Sequence, residues 1–144
     1  MQAVDIAALV SDRANNFGAD NWQQVQYCAS RLKNLPSEDV LTGLMTVFTE
    51  GAPPPKGSAA QELAGKLLIA LAPSGDLNLE TLLRKVLPRY ELSVEQLPYH
   101  LANLIGRDKV YAATQALEAE SLTSTEHRAL KTLQFWLRNQ PSDA

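Results

Sequence analysis

The least polar stretch of the chain runs from Ser58 to Ala72, SAAQELAGKLLIALA, where only Gln61, Glu62 and Lys66 carry strongly polar side chains. At 100° per residue the apolar surface of such a helix extends most of the way round, so it must be covered on several sides. This predicts a central helix. Ser58 followed by Gln61 has the form of a capping box that would start it. Burial of Leu63, Leu67, Leu68, Ile69 and Leu71 contributes about 2 kcal/mol each, an upper figure because the unfolded chain already hides some area.

The flanking segments supply amphipathic partners. Residues 3 to 17 place Ile6, Leu9, Val10, Ala14 and Phe17 on one broad helical face, and Gly18 follows where a left-handed stop belongs. Asp20 with Gln23 signals a second start, after which Trp22, Val25, Ala29 and Leu32 form a stripe ending before Pro36. Ser37, with Glu38 and Asp39 in the first turn, opens a third helix through Val40, Leu41, Leu44, Val47 and Phe48. Gly43 inside it costs about 1 kcal/mol against alanine, which suggests close helix crossing, against Gly65.

Residues 51 to 57, GAPPPKG, remove donors and fix φ, so they form a stiff connector. Beyond the central helix, Leu79, Leu82, Leu83, Val86 and Tyr90 make a stripe with Pro88 near its end. Ser93 and Gln96 suggest another capping box, before Leu97, Leu101, Leu104 and Ile105, with Pro98 in the first turn and Gly106 as the stop. Residues 107 to 120 give a seventh helix through Val110, Ala113 and Leu117. Thr123 and Glu126 cap an eighth through Leu130, Leu133, Trp136 and Leu137, and the tail, 140 to 144, is expected to fray. Clean alternation and hairpin turns are lacking, so the expected fold is all-α, a single domain over residues 1 to 144.

Eight short helices joined by short turns can pair consecutively, with odd members beginning near residues 3, 38, 78 and 108, at intervals of 35, 40 and 30. In helix order and spacing the chain resembles HEAT and armadillo-type helical repeats over most of its length. The resemblance implies a right-handed array of antiparallel pairs. The alternative is a compact irregular bundle.

Composition narrows the function. The 144 residues carry a net charge of -3, which argues against general nucleic-acid binding because that needs a basic face. Segments of 18 uninterrupted apolar residues are lacking, so no membrane contact is expected, and the first twenty residues do not resemble a secretory signal. Cys28 is the sole cysteine, which agrees with a reducing, cytoplasmic setting.

Recognisable chemistry is sparse. His100 and His127 lie on different predicted helices without metal-ligand spacing, and the scattered glycines form no phosphate loop, so neither metal nor cofactor is expected. His100, beside Tyr99, has the position of a half-buried structural histidine, and His127 that of a solvated one. Cys28 reads as buried filler, with no cation expected one turn away. Arg84, Lys85 and Arg89 form the densest basic cluster, near a helix C-terminus where cations offset the dipole; an anion or acidic partner is the functional alternative.

Tyr27, Tyr99 and Phe135 lie about 140° to 200° from the first stripe residue of their helices, the second, sixth and eighth. In an array of helix pairs they could share one face as anchors for a partner. The expected function is therefore a non-enzymatic interaction module for a protein partner or a second copy. The alternatives are a ligand-binding protein or enzyme with a pocket around His100 and Tyr99, and a small acidic inhibitor of another macromolecule.

Overall fold

The computed structural model describes residues 1 to 140; residues 141 to 144, most of the tail expected to fray, lie outside the described residues. Within them the chain forms α1 (Ala3–Phe17), α2 (Trp22–Leu32), α3 (Ser37–Glu50), α4 (Ser58–Leu71), α5 (Leu79–Val86), α6 (Gln96–Ile105), α7 (Arg107–Glu118) and α8 (Ser124–Arg138). There is no strand among the described residues, and no helix there is long and apolar enough to cross a membrane. The fold is all-α.

The helices form two rows. The odd-numbered helices touch in the order α1–α3–α5–α7 and the even-numbered ones in the order α2–α4–α6–α8. The pairs α1–α2, α3–α4 and α7–α8 join the rows within consecutive pairs, α1–α4 and α6–α7 join them across pairs, and α5 and α6, expected to pair, do not pack closely on each other. Helix α4 packs against α1, α2, α3 and α6, so it does lie at the centre. Leu63, Leu67 and Leu68 are fully buried. Cover is less complete than the composition suggests: Leu71 is half-buried and Ile69 is 47% exposed. Lys66 closes one flank by donating to the Ala19 carbonyl at 2.7 Å and approaching Asp20 at 3.7 Å, which fixes the α1–α2 connector on α4.

Several starts differ from the sequence pattern. Asn21 caps α2, with Oδ1 accepting from the Gln23 amide at 2.9 Å, in place of Asp20. Gly57 precedes α4 in a helical backbone conformation, so Ser58 is already inside the helix and no capping box forms. Gln61 is free for another role: it is 1% exposed, donates to the Arg89 carbonyl at 2.6 Å and accepts from the Glu91 amide at 2.8 Å. This amide ties the α5–α6 connector to the central helix. Ser93 likewise donates to Glu91 instead of capping α6. The Thr123–Glu126 box forms as expected, with reciprocal bonds of 3.1 and 3.0 Å. Helix α5 stops at Val86, short of Tyr90: Leu87 keeps helical angles and donates to the Leu83 carbonyl, but Pro88 has no amide hydrogen with which to continue the ladder.

Gly43 does permit close approach, but not to Gly65. A Cβ at position 43 would lie 2.6 Å from both Cβ and Cγ2 of Ile6, so glycine lets α1 settle on α3. A Cβ at Gly65 would instead meet Val94 and Gln96, where the α5–α6 connector and α6 pass over α4. A buried polar link joins α7 to α8: Gln134 donates to Glu118 at 2.6 Å and to Thr114 at 3.1 Å. Gln134, and after it Lys131, hold the Glu118 carboxyl below the usual range.

Candidate functional site

The three aromatic residues picked out by helical phase fall into two groups. Tyr99 of α6 meets Trp136 of α8 edge-on with ring centroids 6.4 Å apart, and Phe135 meets the same indole at 5.1 Å. Trp136, assigned to the core stripe by its spacing, is the residue that joins them. Its Nε1 donates to the Leu92 carbonyl at 2.9 Å, which anchors the partly buried indole between α8 and the α5–α6 connector. Tyr99 is half-buried against it, while Phe135 remains 48% exposed. Edge-to-face geometry holds the rings in place at little rotameric freedom.

Tyr27, 37% exposed, stands in a different setting on α2. The Arg13 guanidinium lies over its ring at 3.9 Å and over the Phe17 ring at 4.6 Å. Arg31, one turn on, lies 5.7 Å from the Tyr27 centroid and donates to its hydroxyl at 2.8 Å. Phe17 and Trp22 were expected in the core; both are exposed, Phe17 as the last residue of α1 and Trp22 as the first of α2. The Arg31–Tyr27 spacing was readable as a one-turn neighbour. Arg13 comes from another helix and left no trace in the local pattern.

Comparison with protein-family models, with curated proteins and with solved structures finds no match to this chain.

The basic cluster is engaged within the protein. Arg84 binds Glu80 at 2.6 Å and also Glu120, Lys85 reaches Glu50 at 3.4 Å, and Arg89 donates to the carbonyls of Lys85 and Gly51. These contacts tie α5 to α3 and to the end of α7.

His100 is more deeply buried than expected, and its Nε2 lies 2.9 Å from the Pro73 carbonyl. A carbonyl can only accept, so Nε2 carries the proton in the neutral ring. The adjoining cleft, bordered by Leu68, Ile69, Asn103 and Leu104, measures about 170 Å³, and no carboxylate is among its lining residues. Tyr99 does not line it, and the Tyr90 hydroxyl donates to the Val94 carbonyl at 2.6 Å. Among the described residues, no group of three or more His, Cys, Asp or Glu side chains is placed to hold a metal ion.

Burial, the larger influence, lowers the His100 pKa below its usual value, and the hydrogen bond to Pro73 opposes part of that shift. The unfolded chain therefore binds the proton first as pH falls through about 6.5. The contribution of His100 to stability is expected to be complete above that value and to decline as pH drops toward the folded-state pKa. Urea unfolding at several pH values should show this acid slope reduced in His100→Gln; an identical slope in both proteins would contradict it.

Cys28 is buried, as expected, but it is not remote from cations. Burial raises its pKa, while Arg13 and Arg31 both pull it down. Arg31 lies three residues along the same helix, and Arg13 arrives from α1.

Proposed function

We propose that the protein is a non-enzymatic interaction module, a short helical repeat of HEAT or armadillo character that offers its even-numbered row to a protein partner in the cytoplasm. Phe135 carries the reading. A large apolar side chain that is 48% exposed yet braced by Trp136 offers contact area without a large loss of freedom on binding. The two rows of contacts support the repeat likeness, since each helix of such an array leans on the next but one, while the α1–α4 and α6–α7 contacts and the open α5–α6 pair depart from a regular array. A small-ligand site beside His100 has less support: the cleft of about 170 Å³ falls below the ~300 Å³ at which ligand pockets begin, and Nε2 is already committed.

Replacing Tyr99 and Phe135 together by serine is expected to preserve helical circular dichroism and to reduce partner capture by more than about tenfold, the scale of a lost anchor residue. Capture followed by mass spectrometry provides the comparison. Equal recovery of the same partner by both proteins would remove Phe135 and Tyr99 from the interface.

A further inference from the structure

Arg13 and Arg31 are set apart by what holds them: among the described residues they are the cations that lie over aromatic rings. Lys66, Arg84, Lys85 and Lys131 each approach a carboxylate, whereas among the described residues neither Arg13 nor Arg31 has one within 4.0 Å. Two positive charges nevertheless converge on one phenol ring, at 3.9 and 5.7 Å from its centroid. Stacking on aromatic faces holds them there at about 0.5–1 kcal/mol for each exposed contact. Like charges kept close without a counterion favour an anion that can lie between them.

The hydrogen-bonding pattern shows which donors are available. Arg13 spends Nε on the side-chain oxygen of buried Gln24 at 2.8 Å, and Arg31 spends Nη1 on the Tyr27 hydroxyl. Among the described residues the Nη1 and Nη2 groups of Arg13, and Nε and Nη2 of Arg31, donate to no protein acceptor. A guanidinium with its edge free and its plane fixed is suited to bidentate carboxylate recognition. Exposed Phe17, beside Arg13, adds an apolar contact.

We infer that Arg13, Tyr27 and Arg31 form a docking point for an acidic peptide segment, with its carboxylates spanning the two guanidinium groups and an apolar side chain resting on Phe17. This gives the partner of the proposed module a chemistry, but it depends on side chains other than Tyr99 and Phe135. Charge complementarity favours a peptide over nucleic acid. Nucleic-acid binding draws on counterion release by an extended basic face, which two free arginines on a chain of net charge -3 do not supply, whereas a short acidic segment needs only the two guanidinium groups.

The test is titration of isotope-labelled full-length protein with a hexaglutamate peptide carrying one leucine, read at the arginine Nε–Hε resonances. Saturable shifts at Arg13 and Arg31 are expected. They should weaken with added salt, lose about tenfold or more in affinity in Arg31→Gln, and vanish in Arg13→Gln/Arg31→Gln. Circular dichroism checks folding, and the exposed Arg31→Gln change alone suffices should the double variant unfold. No saturable shift, an equal response to inorganic phosphate, or tighter binding of oligothymidylate would each overturn the inference. The Tyr99→Ser/Phe135→Ser variant should bind the peptide as the parent does, so failure here and failure of the broader proposal are distinguishable.

Discussion

Leu67→Ala is expected to reduce the free energy of unfolding by about 2–5 kcal/mol, the range for a fully buried leucine truncated to leave a cavity. Leu67 has no exposed surface and sits on the helix that α1, α2, α3 and α6 all touch. Those helices are fixed in rows by further neighbours, so they cannot easily close over the lost methyl groups. Ile69→Ala, two residues on and 47% exposed, is the internal comparison and should cost clearly less. Chemical denaturation distinguishes the two. A loss below about 0.5 kcal/mol at Leu67 would mark α4 as peripheral.

The second large effect is expected at Gln61. Its neighbours admit only one amide orientation, because the Arg89 carbonyl must accept and the Glu91 amide must donate. Gln61→Glu keeps the shape but permits donation to Arg89 only when the carboxyl is protonated. Burial of the charged form raises a carboxyl pKa by up to 3–5 units, so holding the proton at pH 7 costs about 3–4 kcal/mol. The folded variant has the higher pKa, so its deficit is small below about pH 4.3 and grows as pH rises toward the folded-state value. Urea unfolding of variant and parent at pH 4.5 and pH 7 should show the gap widening. A gap independent of pH would mean that water or the Arg89 guanidinium solvates the new charge.

These two residues also show what the sequence could reveal. Leu67 was legible because near-continuous apolar composition implies cover on several sides whatever the neighbours are. The helix segments followed from periodicity in the same way. Gln61 was misread: a serine followed three residues later by glutamine has the form of a cap, yet the amide found two stronger partners 28 and 30 residues away. Local motifs record local options, and tertiary hydrogen bonds can displace them. The Thr123–Glu126 box formed with no such competitor for its side chains.

The candidate surface was legible to a similar degree. Helical phase picked out Phe135 and Tyr27 as side chains facing away from the core stripe. It could not separate the Tyr99–Trp136–Phe135 cluster from the Tyr27 cluster, because that division depends on which helices meet. Trp136 and Arg13 were hidden for the same reason: each acts across helices, through a ring on α6 or on α2.

Amide hydrogen exchange across α4 measures the arrangement most directly. If the rows of helices close around this segment, the Leu67 and Leu68 amides should exchange only through global unfolding, with protection matching the denaturation free energy, while the last turn of α8 opens far more readily. Exchange at Leu67 and Leu68 as fast as at Arg138 would contradict a central α4.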